Sequence, residues 1–101
     1  MKIELKKFGT TLTSRQDGQE ALAAINSQLQ NCAPGEKIVI DFAGVITFTP
    51  SWADEFITNI VAQFNKRVIL EHTDNPSVKA TLKLLERVKD KKKAEELNKT
   101  A

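Results

Sequence analysis

The run Ile38-Val39-Ile40 constrains the fold of this 101-residue chain more than any other feature. It is short, apolar and β-branched, and Asp41 and Phe42 continue it. The polar loop Asn31 to Gly35 precedes it and Gly44 follows it. A run with no polar alternate has no face to offer to water, so it reads as a central strand covered on both faces. The rest of the chain must supply the covers.

Three amphipathic segments can do so. Ser14 opens the first as a cap, with Asp17 three residues on, where a capping-box acid sits. Gly18, Leu22, Ile25 and Leu29 then share one helical face. A glycine there costs about 1 kcal/mol against alanine. It either lets the helix approach the sheet closely or lies in a frayed first turn. A second helix opens after Pro50 with Ser51 as N-cap and Asp54 three residues on. Its buried stripe is Phe56, Ile57, Ile60, Val61 and Phe64. Asn75 caps a third helix, with Pro76 at its first position and Val78, Leu82, Leu85 and Val88 as its apolar stripe.

Strands fill the gaps. Lys2 to Lys6 alternate apolar with polar, Gly9 allows a turn, and Thr10 to Thr13 can return as a second strand, although Phe8 breaks the parity. Residues 43 to 50 read as a loop, and Val68-Ile69-Leu70 as another buried strand. The order is ββαβαβα: an α/β fold with a small, mainly parallel mixed sheet, right-handed crossovers and an N-terminal hairpin. It makes a single domain over 1–90. The polar residues 91–101 read as a solvated or disordered tail.

Composition excludes several classes. With 41% hydrophobic and 28% charged residues the chain is that of an ordinary globular protein. One cysteine, Cys32, forbids an internal disulfide. The charged, alternating N-terminus has no signal-peptide core, and no apolar run approaches the roughly 18 residues of a membrane span. A cytoplasmic location is expected. The net charge of +2 is mild. Arg87, Lys89, Lys91, Lys92 and Lys93 could serve a nucleic acid, but Glu86, Asp90, Glu95 and Glu96 dilute their field.

No enzyme chemistry is visible. The four glycines make no phosphate-cradling loop, so no nucleotide or other cofactor is implied. Cys32 and His72 are the only soft metal ligands, and two scattered ligands make no zinc site. His72 reads as an exposed strand-end residue. Adjacent carboxylates such as Asp54 and Glu55 point apart on a helix.

The stretch from Ile38 to Phe64 is more informative. At about 100° per residue the stripe from Phe56 to Phe64 centres roughly 110° from Trp52. Trp52 then lies at the rim of the buried face, either as a partner contact or folded back over Phe48 to close the core. Ser51 is either a cap alone or also a phosphoacceptor, which would place roughly −1.5 to −2 charge at a helix N-terminus that tolerates it.

This stretch resembles the STAS-like domains of bacteria, small domains of unknown function related to anti-sigma factor antagonists. Asp41, Phe42, Gly44, Val45, Ser51, Trp52, Ala53, Asp54, Glu55 and Phe56 carry the resemblance, with Thr13-Ser14-Arg15, Asn75 and Val78 beside them. It covers roughly residues 3 to 88. The resemblance implies a STAS-type fold and regulation through protein–protein contact, with a GHKL-type ATPase or kinase as partner. Docking would use Thr47, Thr49, Ser51, Trp52 and Glu55. In the antagonists a serine at the start of the second helix is phosphorylated, and Ser51 falls on it. The antagonists carry Asp-Ser before that serine and Gly after it, where this chain has Thr49, Pro50 and Trp52; a Trp in place of that Gly is expected to crowd a kinase. Some STAS-type domains bind nucleotides.

Overall fold

The computed structural model describes residues 1–86. The tail at 91–101, the basic residues from Arg87 to Lys93 and the stripe residue Val88 lie outside the described residues.

Strand β3, Ile38–Asp41, lies at the centre of a three-stranded sheet. It pairs in parallel with β1, Lys2–Glu4, on one side and with β5, Val68–Glu71, on the other. A second, two-stranded parallel sheet joins β2, Thr11–Leu12, to β4, Thr47–Phe48. The α/β class and the parallel pairing agree with the sequence reading.

The N-terminal hairpin does not form. Strands β1 and β2 belong to different sheets. Between them Leu5–Phe8 winds into one turn of 3₁₀ helix that drives Leu5 fully into the core. That turn is the physical meaning of the parity break at Phe8: the alternation ends because the strand ends. The segment read as a loop also contains β4, so the described order is ββαββαβα with the second helical region interrupted.

Helix α1, Arg15–Gln30, starts where the capping pattern places it, and the Ser14 hydroxyl accepts the Asp17 N–H at 3.0 Å. Its inner face is Gly18, Ala21, Ile25 and Leu29. The second helical region runs through α2, Pro50–Ala53, a π-helical turn, Asp54–Thr58, and α3, Asn59–Phe64. Helix α4 occupies 76–86 of the described residues. Asn75 caps it, its Oδ1 accepting from the N–H of Ser77 at 2.7 Å and of Val78 at 3.3 Å.

The core lies between these helices and one face of the sheet. Ile3, Ile38 and Ile40 share that face by register and are buried with Phe42, Phe48, Trp52, Phe56 and Ile60. The opposite face is wetter, since Lys2 and Ile69 are exposed and Val39 half-buried. The expectation that β3 is the central strand holds, but its second face is only partly covered. The expectation of a buried β5 fails: Ile69 and Leu70 are both exposed. An edge strand has a neighbour on one side alone, and apolar composition does not say which strand takes the edge.

Candidate functional site

The two sheets direct one segment, Val45 to Ser51, to the end of the molecule where β3 and β5 terminate. Its backbone is held from both sides. On the β2 side, the N–H groups of Ile46 and Thr47 donate to Thr10 O at 2.8 and 3.1 Å, and Thr49 N–H to Leu12 O at 3.1 Å. On the α4 side, Asn75 Nδ2 donates to the carbonyls of Val45 and Ile46, both at 3.1 Å. The Ser77 hydroxyl accepts the Phe48 N–H at 2.9 Å. Phe48 O accepts the hydroxyls of Ser77 at 3.0 Å and Thr81 at 2.7 Å. A segment bonded along both edges has little freedom left, because each opening motion breaks bonds to two elements at once.

From this frame Ile46 projects into solvent with 65% of its surface exposed, while its neighbours Val45 and Phe48 are buried. The sequence implies that the apolar residues here are partly buried and does not single out Ile46. The only available signal was that three apolar residues in so short a stretch cannot all point inward. The sequence marks Asn75 as a cap, and the clamp on Val45 and Ile46 is visible only in the fold. Nothing in the sequence pairs it with residues some thirty positions away.

The predicted site residues divide. Thr47 and Thr49 are half-buried on the pinned segment, and Thr49 Oγ1 donates to Thr13 O at 2.7 Å. Ser51 is exposed, but it is not the N-cap. The helix starts one residue earlier, with Thr49 at the cap position and Pro50 at the first helical position, where its fixed φ and missing N–H cost nothing. Glu55 turns toward α1, and Arg15 bridges both Glu55 and Asp54. Two adjacent carboxylates that should point apart therefore share one guanidinium. They hold Arg15 above its ordinary range, Glu55 contributing most.

Trp52 takes the second of its two readings, closure of the core over Phe48, and its place as a partner contact is corrected. It is fully buried, its ring stacked on Phe56 at 4.8 Å between centroids, with Phe48 at 5.7 Å and Phe8 at 6.4 Å. It closes the core and cannot touch a partner. The rim placement failed because it assumed uniform 3.6-residue winding. The π turn at Asp54–Thr58 bonds i to i+5 and advances through fewer degrees per residue. It swings the stripe from Ile57 to Phe64 back into line with Trp52. Such turns are frequent at functional sites, and in this one Asn59 Nδ2 donates to Glu55 O at 2.6 Å.

Gly18 is resolved as a close approach, against a helix rather than the sheet. A β-carbon there would stand 2.7 Å from Trp52 O and 3.2 Å from Glu55 Cβ. The same contact seats Trp52 and aims Glu55.

At the strand ends, Asp41 accepts the Ala43 N–H at 2.9 Å and lies 2.7 Å from His72 Nδ1, with Lys2 Nζ at 3.6 Å. The Ala43 bond, then His72 and Lys2, hold its carboxyl below the usual range against the opposing effect of burial. His72 is exposed at a strand end, as read, but the sequence did not connect it to Asp41. Among the described residues no group of three His, Cys, Asp or Glu side chains is placed to hold a metal ion. No described helix is long and apolar enough to cross a membrane.

Residues 17–78, more than half of the chain, match the family model described as a STAS-like domain of unknown function. No curated protein and no solved structure matches the chain.

Proposed function

The chain belongs to the family of STAS-like domains of unknown function, and from that premise we propose that it is a regulatory protein-interaction module rather than an enzyme. It docks on a partner through Ile46, Thr47, Thr49, Ser51 and the Arg15–Glu55 pair. A GHKL-type ATPase or kinase is the proposed partner. The observation that carries this reading is Ile46: a large apolar side chain held in water on a backbone bonded from two sides. A side chain on a backbone already held in place binds with little further ordering cost, and a partner covering Ile46 removes its apolar surface from water.

Capture of a purified GHKL-type ATPase by the wild-type chain and by Ile46→Asp tests it. Loss of about tenfold or more in affinity, roughly 1.4 kcal/mol, is the expected result. Equal capture by Ile46→Asp and wild type removes this surface, and no capture by either removes the partner class.

A second reading has one observation in its favour. Ser51 is exposed at the helix start while the Trp52 side chain is buried, so Trp52 does not crowd a kinase approaching Ser51. Ser51 then acts as the acceptor of an antagonist-type phosphoswitch. Intact mass after incubation with that kinase and ATP, on wild type and Ser51→Ala, separates the readings. A phosphate that persists in Ser51→Ala ends the second.

A further inference from the structure

His72 is the one histidine of the chain, and although it is exposed its backbone and ring are both held. Its backbone is left-handed at φ 57°, a region where a side chain is uncommon. That conformation ends β5 and turns the ring onto Asp41. Asp41 is buried, with 7% of its side chain exposed, whereas the His72 side chain is 61% exposed. The Asp41 carboxylate can only accept hydrogen bonds. The nitrogen 2.7 Å from it, Nδ1, must therefore carry the proton. In the neutral ring this leaves the lone pair on Nε2, on a largely exposed imidazole. A nucleophile oriented by a second group that is itself held by a third is the recurring arrangement of covalent group transfer. Here the third contact is the Ala43 N–H on Asp41.

We infer that His72 is a phosphoryl-acceptor site, taking a phosphoryl group on Nε2 from a donor with a phosphorus–nitrogen bond, with Asp41 as its positioning residue. Two alternatives fit the surroundings less well. A metal site lacks further ligands among the described residues. A hydrolytic base needs a substrate cleft beside it. The clefts by Phe64 and Arg67, and by Leu12 and Ala21, include neither His72 nor Asp41.

In the step, the Nε2 lone pair attacks phosphorus and forms the N–P bond. The donor's P–N bond, its nitrogen already protonated as in zwitterionic phosphoramidate, breaks, and its electron pair leaves with the neutral amine. Nδ1 keeps its proton, so the ring becomes cationic. The Asp41 carboxylate faces that charge at the atom where it develops. Lys2, whose ammonium lies 3.6 Å from the other Asp41 oxygen, places a cation beside the pair. This site uses none of the residues of the docking surface and stands apart from that reading.

The probe is potassium phosphoramidate, applied to the full chain at neutral pH and followed by intact mass and by phosphorus NMR. The wild type should take one acid-labile phosphoryl group, and His72→Gln none. The native chain should react at least about tenfold faster than Asp41→Asn, a small part of what a catalytic imidazole loses with its Asp partner. It should outpace the urea-unfolded wild type by a similar margin. Because Asp41→Asn can disturb folding, nitrogen-15 NMR of the wild-type ring provides a second reading, with the Nδ1–H tautomer expected. Equal rates in the native and unfolded chains overturn the proposal, and so does a dominant Nε2–H tautomer.

Discussion

At the scale of single residues, Asn75 does the most with the fewest atoms. Its Oδ1 caps α4 while its Nδ2 ties down the two carbonyls that flank Ile46. Asn75→Asp separates the roles, because aspartate caps as well as asparagine but offers no donor and turns a carboxylate oxygen toward Val45 O and Ile46 O. The expected cost is about 1–3 kcal/mol of stability, read from urea unfolding, with α4 retained by circular dichroism. A near-neutral result would show that water replaces the clamp. Trp52 supplies the optical probe. As the one tryptophan, buried among Phe8, Phe48 and Phe56, it should emit blue-shifted in the native state and shift red on unfolding. Native emission at the wavelength of exposed tryptophan would contradict the packing. The sequence allowed both placements of Trp52. The choice depended on a π turn two residues further on, which no wheel with a constant angle contains.

At the scale of elements, the decisive contact is helix on helix. Gly18 lets α1 approach the start of the second helical region until backbone meets backbone, and Arg15 closes the same junction onto Asp54 and Glu55. Gly18→Ala sets two effects against each other. Helix propensity gains about 1 kcal/mol, while a methyl placed 2.7 Å from Trp52 O overpacks a junction whose nearest atom is backbone and cannot swing aside, at a cost of about 1–3 kcal/mol. A net loss of about 1 kcal/mol is expected, read as a lowered urea midpoint. A raised midpoint would mean that the helices separate without cost. Glycine on the inner face of α1 was legible as a sign of close approach. Its partner was not, because a one-dimensional pattern shows which face is inward and not what lies opposite.

At the scale of the whole molecule, Asp41 ties the ends of three strands. It extends from β3, touches Lys2 of β1 and holds His72 beyond β5. Its folded-state pKa is depressed, so its contribution is present above the unfolded value, near 4, and is lost as pH falls through the folded one. Stability of the wild type should therefore drop below about pH 4 more steeply than that of Asp41→Asn, and the gap between them should close as acid is added. Parallel acid limbs in the two chains would show that this carboxylate does not link folding to pH. Local periodicity and adjacent residues are enough for the α/β class, a mainly parallel sheet with Ile38–Asp41 as its central strand, the caps at Ser14 and Asn75 and the family resemblance. Long-range contacts set the rest: β1 and β2 part into two sheets, β5 is an edge, Trp52 is core and Ile46 is surface, and Asp41 meets His72. Each of these depends on residues distant in the chain arriving at the same place, and hydrophobic pattern reports the depth of a side chain without naming its neighbour.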